Sequence, residues 1–336
     1  MAKLKQTFSF SPRFNLNLRI LFFYGLCLTV LFFSLTIKNS KNAPVVFQIE
    51  DYRPSFMQQA DVFLRRGEEP YLHLIAEEMI LKPQEKKTFF KKPHGEAYTQ
   101  SKKVIHFFGD EGIYQEKEGE IYLKDNVKAV QDTSILNSKE AKYLPEKDQF
   151  SAWGEVTTSM ITAAPHKDKI FISSDYLSFS PAHNQGRYQG NVKGEIRRNR
   201  AFEPAIFFWA QTVNVFLNEL KVHLEQDVHL QKEQMNAYSR KAELYLENYN
   251  KKLKYYVLYD DVKVEEKFKD QKGQILERKA YAEKLEGFVL DQKIVLTGTP
   301  KVFQGSDTLK GNRIILRQDV EVMEVDDSNS TFTVKE

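Results

Sequence analysis

Ile121-Tyr122-Leu123-Lys124-Asp125-Asn126-Val127-Lys128-Ala129 is the stretch that decides the fold. Apolar and polar residues alternate on both sides of Asp125-Asn126, the period of two that a half-buried β-strand requires. The same alternation returns at Val213-Asn214-Val215-Phe216-Leu217, at Leu220 to Leu224 and at Lys293-Ile294-Val295-Leu296. Between such runs stand Gly, Asn and Asp clusters: Lys124-Asp125-Asn126, Trp153-Gly154-Glu155, Gln189-Gly190-Asn191, Glu225-Gln226-Asp227, Asp260-Asp261 and Thr297-Gly298-Thr299-Pro300. These residue types adopt left-handed backbone conformations most easily, so each cluster is read as a turn that ends one strand before a valine opens the next. That valine is Val127, Val156, Val192, Val228, Val262 and, after Pro300, Val302, at intervals of about 29 to 40 residues.

A second signature falls midway between most of these clusters, a small residue followed by alternating polar and apolar ones. Examples are Ser138-Lys139-Glu140-Ala141-Lys142-Tyr143, Ser239-Arg240-Lys241-Ala242-Glu243-Leu244-Tyr245 and Lys279-Ala280-Tyr281-Ala282-Glu283-Lys284-Leu285. Each repeat then supplies about two strands and can bury its apolar face only by stacking on its neighbours. The fold class expected is all-β, built of stacked antiparallel hairpins. One stretch interrupts the pattern: Glu195 to Pro204 carries a basic cluster and a proline, and marks a domain boundary or a long hairpin loop.

The N-terminal segment is of another kind. Ile20 to Ile37 is eighteen residues without a charge, ~27 Å as a helix and close to the ~30 Å of a bilayer's hydrocarbon core. Lys3, Lys5, Arg13 and Arg19 precede it with no acidic residue among them. The positive-inside rule then makes 1–19 a cytoplasmic tail, 20–37 a single transmembrane helix and puts the remainder on the far side of the membrane. The competing reading is a cleaved signal peptide. Against it, the apolar run is longer than a signal's, and KNSKNAPVV after it offers no convincing small-x-small site.

Composition narrows the function. Lys+Arg total 49 against Asp+Glu 46, a formal net charge of +3, and so balanced a chain is not expected to bind nucleic acid. Cys27 is the one cysteine and lies inside the apolar run, so no disulfide framework and no zinc site is expected. The histidines at 73, 94, 106, 166, 183, 223 and 229 make no H-x-x-x-H spacing, and there is no G-x-S-x-G or phosphate loop. No enzyme, metal or cofactor is expected.

What the alternation does provide is a continuous apolar inner face. Its candidate members are Ile121, Leu123, Val127, Val156, Ile172, Val192, Val215, Leu217, Val228, Leu230, Val262, Ile294, Leu296 and Val302. Any single one could simply fill a closed core. At the far end, Ile314, Leu316, Val320 and Val322 alternate in a strand with little chain left to cover it, which is expected to be a partner-docking edge.

The recurring strand, Gly/Asp-Asn-Val cluster and Ser/Ala-x-x-Ala-x-Tyr/Leu pattern resembles the OstA-like lipopolysaccharide transport proteins LptC and LptA. The first part is similar to LptC, with its N-terminal anchor, Ala60-Asp61-Val62-Phe63-Leu64, Ile172-Ser173-Ser174-Asp175-Tyr176-Leu177 and Tyr188-Gln189-Gly190-Asn191-Val192. The last part is more similar to LptA, above all in Lys293 to Val302 and Gly305 to Ile314. On this resemblance the membrane is the inner membrane and the bulk of the chain is periplasmic: 38–200 is an LptC-like β-jellyroll, or taco, and 201–336 continues it in LptA-like layers. It further implies an apolar, lipid-binding groove between two spread sheets. Lipopolysaccharide is then the ligand, an inner-membrane ABC transporter complex the donor, and a separate LptA-like periplasmic protein a further partner. Two rivals remain open at this point, a membrane-tethered β-solenoid scaffold with a closed core and a polysaccharide-processing enzyme on a β-helix.

Overall fold

The computed structural model describes residues 53–162, 167–199, 203–248, 252–269, 274–305, 307–317, 323–326 and 329–331. The expected anchor at 20–37, and Val320 and Val322, lie outside them. Arg53–Glu336 is one compact unit. Among the described residues it consists of twenty-two strands and one short 3-10 turn, Pro83–Glu85, with no helix long and apolar enough to cross a membrane.

Every pairing in the sheet is antiparallel, and the chain meanders through it in order. β1 (Ser55–Arg66) pairs along its length with β2 (Glu69–Lys82). Four short strands follow: β3 (Lys87–Lys91), β4 (His94–Tyr98), β5 (Val104–Phe108) and β6 (Glu111–Gln115). They are half-strands, since β3 and β4 share one neighbour, β2, while β5 and β6 share the next, β7 (Glu120–Gln131). The long strands then continue as β8 (Ser134–Leu144), β9 (Gln149–Ile161), β10 (Lys169–Ser180), β11 (Gln185–Arg197) and β12 (Ile206–Phe216). Beyond them come β13 (Lys221–Lys232), β14 (Met235–Leu246), β15 (Leu253–Lys269) and β16 (Ile275–Phe288). Half-strands end the sheet: β17 (Lys293–Thr297), β18 (Lys301–Gln304), β19 (Asp307–Lys310), β20 (Arg313–Arg317), β21 (Met323–Asp326) and β22 (Asn329–Thr331).

The clusters read as turns do not reverse the chain. Asp125 and Asn126 lie inside β7, both at positive φ (58° and 51°). In the register Lys124 faces Glu140 and Val127 faces Ser138, so two residues of β7 stand against Lys139 alone. This is a β-bulge, and it bends the strand without ending it. Gly154-Glu155, Gly190-Asn191, Gln226-Asp227 and Asp260-Asp261 repeat the same left-handed pair inside β9, β11, β13 and β15, and Gly298-Thr299 separates β17 from β18. The expected interval is therefore two bent strands, and each valine opens the second half of a strand already begun. All six valines are buried. At Gly298 (φ 78°) a Cβ would also lie 2.5 Å from that of Glu283, so glycine is required there twice over.

The midway signature sits on the strands opposite these bulges. Ser138 Oγ donates to the carbonyl of Glu140 (3.0 Å), Ser174 to that of Tyr176 (3.0 Å) and Ser239 to that of Lys241 (2.9 Å). In each case a hydroxyl satisfies a carbonyl where the ladder register slips, which a buried backbone acceptor needs.

Aligned bends fold the sheet over into two arms. Arm A holds residues 120–124 of β7, 140–144 of β8, 149–153 of β9 and their successors; arm B holds 127–131, 134–138, 156–161 and theirs. The inner faces of both arms share one hydrophobic cluster running from Ala60 to Leu316. Pairing crosses the Glu195–Pro204 stretch, since β11 and β12 are in register from Gln185–Phe216 to Ile196–Ile206.

Candidate functional site: an apolar cavity between the arms

The hairpins at the ends of each arm form two rims, and the space between them is the mouth of the fold. Between β7 and β12 that space is a cavity of about 270 Å³. Ala129, Leu136 and Met160 of arm B face Phe150, Leu177, Phe179, Tyr188 and Val215 of arm A across it. Burial pushes the Tyr188 phenol above its usual range, so it stays neutral and adds no charge to the wall.

The mouth is bridged on either side of this cavity. On one side Gln100, in the β4–β5 loop of the arm B rim, donates through Nε2 to the carbonyl of Glu146 on the arm A rim (3.3 Å). On the other, the stretch after β11 becomes a strap. Arg198 pairs with Asp168 (2.9 Å) and with Glu203 (2.8 Å), and Asn199 donates its backbone N–H to Asp168 Oδ1 (3.0 Å). Glu203 then reaches Lys252 on the opposite rim (3.9 Å). The Arg198 and Asp168 side chains are only 12% and 6% exposed, so this pair is shielded as surface pairs are not. Sequence singled out the basic cluster but not Asp168, about thirty residues earlier, because nothing local marks that partner.

Most of the expected groove residues lie deeper than the cavity. Val127, Val156, Val192, Val228, Val262 and Val302 are buried at the corner of the bend. Ile121, Leu123, Ile172, Leu230, Ile294 and Leu296 are buried on the inner faces. Val215 and Leu217 do line the cavity, Leu217 at the rim and 39% exposed. Leu136, Phe150, Met160, Leu177, Phe179 and Tyr188 also line it and are not among the expected groove residues. They alternate within β8 to β11 as plainly as the others, but the valine after each cluster marks the corner of the bend and not the mouth.

The expected docking edge is also placed differently. Ile314 and Leu316 are 0% and 1% exposed and point into the core. β20 is not outermost, because β21 pairs with it from Arg313–Asp326 to Leu316–Met323, while β22 covers β19. The reason is two further short strands, β21 and β22, made from residues that the sequence suggested were too few to form them.

Between the arms at β15 to β20 the space is filled. Arg278 (1% exposed) and Glu266 (5%) form an ion pair at 3.1 Å, with Arg278 Nε donating to Gln304 Oε1 at 3.1 Å. The Phe268 ring lies 4.5 Å from the guanidinium. Tyr256 on arm A is buried against the same space, and desolvation together with Glu266 pushes its phenol well above the usual range. On the outer face, Glu286 accepts from Tyr255 (2.7 Å) and pairs with Lys284 (2.9 Å), which hold it below the ordinary carboxylate range. Among the described residues no group of three or more His, Cys, Asp or Glu is placed to hold a metal ion.

Comparison with known proteins divides the chain at the strap. Residues 26–162 match the LptC family model, described as lipopolysaccharide-assembly, LptC-related. Residues 210–322 match the model of the LptA/(LptD N-terminal domain) LPS transport protein. One similar solved structure is LptH, the LptA homologous periplasmic component of the conserved lipopolysaccharide transport device from Pseudomonas aeruginosa. It is 15% identical and aligns over 38% of this chain and 95% of its own, with a TM-score of 0.35. No curated protein matches. Asp168, Arg198 and Glu203 fall between the two matched segments; the arrangement is LptC-like and then LptA-like, and the described residues of both segments lie in one continuous antiparallel sheet.

Proposed function

We propose that this protein is a non-enzymatic carrier that moves lipopolysaccharide away from the inner membrane, holding acyl chains between the arms of its sheet while the sugars stay in water. The observation that carries this reading is the apolar cavity between β7 and β12, open between two bridges, in a chain matched by two lipopolysaccharide-transport family models. Each exposed methylene costs about 0.8 kcal/mol, so an acyl chain of ordinary length would cost roughly 10 kcal/mol to carry bare through water. An apolar slot removes that barrier without any reactive group.

In this reading Ile20 to Ile37 is an uncleaved anchor, 38–200 the LptC-like jellyroll and 201–336 its LptA-like continuation. The edge of β1 that no described strand covers, where Phe56 and Met57 are exposed, meets the periplasmic part of an ABC transporter. The β21–β22 edge, with Val320 and Val322 in the chain leading to it, receives a further β protein of the same kind by strand addition. The slot would then run on through the buried valines and Leu296.

A photocrosslinker at Leu217, in intact cells, tests the carriage. Crosslinks to lipopolysaccharide are expected there and not from the outward-facing Lys142. Protein-only products at Leu217 would favour a closed scaffold. Mass spectrometry of the membrane-extracted protein tests the anchor, and a mature N-terminus near Ala43 would refute it.

A further inference from the structure

Arg278 and Glu266 are the most deeply buried ion pair described in this sheet, and they lie where the reading above requires an acyl chain to pass. A buried pair seldom stabilises a fold more than apolar side chains of the same volume would, so its presence in an otherwise apolar slot asks for another explanation. The arrangement of its partners supplies one. Glu266 on β15, Gln304 on β18 and the Phe268 ring all belong to arm B, the arm that carries Arg278 itself. Arg278 also reaches across the slot, where Nη1 donates to the carbonyl of Arg317 on β20, in arm A, at 3.4 Å. Tyr256 closes the same space from arm A, its ring lying over Gly287 so tightly that a Cβ there would fall 2.0 Å from it.

The bonds within arm B are therefore shorter than the bond between the arms. If the arms part, Arg278 loses the long bond to Arg317 but keeps its carboxylate and amide partners. The charge is never left bare, which is the step that makes breaking a buried pair so unfavourable. A staple meant to hold the arms together would place its two charges on opposite arms. Here both charges sit on one arm.

We infer that Arg278, held by Glu266 and Gln304, is a gate residue that closes the C-terminal part of the slot and must release Arg317 before an acyl chain enters it. This rests on the carrier reading, and it makes entry into the LptA-type segment a separate step from loading of the first cavity. Among the described residues the N-terminal cavity shows no buried ion pair between its walls: Leu136, Met160, Phe150 and Leu177 face each other across it, with Lys103 and Asp132 also in its lining.

The test uses the purified full-length chain with lipopolysaccharide as the probe, and a photocrosslinker either at Leu217 in the first cavity or at Leu276, half-buried and next but one to Arg278. In the unaltered chain the yield at Leu276 is expected to be at least tenfold below that at Leu217. The double substitution Arg278→Met with Glu266→Leu should raise the Leu276 yield severalfold and leave Leu217 unchanged. Arg278→Lys, which keeps the charge pair but shortens the reach to Arg317, guards against a folding defect and should raise it too, by less. Equal yields at the two sites in the unaltered chain would overturn the gate, as would folded variants that gain nothing at Leu276. Absence of crosslinking at Leu217 would overturn the carrier reading, and the gate with it.

Discussion

The part of the sheet from β7 to β12 and the part from β13 to β20 follow one recipe with opposite results. Both are meanders of strands bent at a left-handed pair, and both place a buried valine just after the bend. In the first, large apolar residues stop short of one another across the mouth and leave a cavity. In the second, Tyr256, Phe268, Glu266 and Arg278 fill the space from both sides. The bend makes a slot wherever it recurs, and the residues farther along each arm, between the bend and the rim, decide whether the slot is open. A family match to either segment thus speaks for the bent sheet more than for the free space inside it.

The largest effect is expected at the buried pair that fills the second region. Glu266→Ala leaves a guanidinium without its carboxylate at a site 1% exposed, and should lower unfolding free energy by about 3–5 kcal/mol. Replacing both partners with Met and Leu should cost little or nothing. Urea denaturation of the two variants separates them, and equal losses would mean that the pair is not acting as a unit.

The same truncation made in both regions should differ in cost. Leu296 is fully buried in the filled part, so Leu296→Ala leaves a new void and should cost about 4–5 kcal/mol. Leu136 borders space that is already empty, and Leu136→Ala should cost about 2–3 kcal/mol. Equal values would argue that the two slots are packed alike.

A smaller effect tests what the regions share. Ser138→Ala and Ser239→Ala each remove a hydroxyl that satisfies a carbonyl at a bend, one in each region. Both should lose about 1 kcal/mol, and a clear loss at only one would show that the two bends are held differently.

The smallest effect lies on the outer face. Tyr255 and Lys284 hold Glu286 below its ordinary range, so the folded chain gains stability while this carboxylate is ionised. That gain is present above pH 4.5, the ordinary value, and is lost as pH falls through the lower, folded value. Glu286→Gln should flatten the acid limb of a stability-against-pH curve and leave stability near neutrality slightly reduced. An unchanged acid limb would show that other carboxylates set it.

Much of this molecule is written in short-range signals. The alternation in Ile121 to Ala129 assigns a strand and its inner face, because neighbouring side chains on an extended backbone must point to opposite sides. Gly190-Asn191 and Asp260-Asp261 announce positive φ in the sequence itself, because these residue types carry the least steric or electronic cost there. Whether such a pair reverses the chain or bends it is not local. It depends on whether the neighbouring strand pairs across both halves, as β8 does with β7. The same limit explains the misplaced edge at Ile314 and Leu316, whose covering strand is made by only four residues beyond a connection. It explains the gate as well. Arg278 meets a carboxylate 12 residues before it, an amide 26 after it and a carbonyl 39 after it. No period in the sequence links those positions; they meet because a folded-over sheet brings two inner faces together, and the side chains facing each other across that gap determine which part of the slot is open.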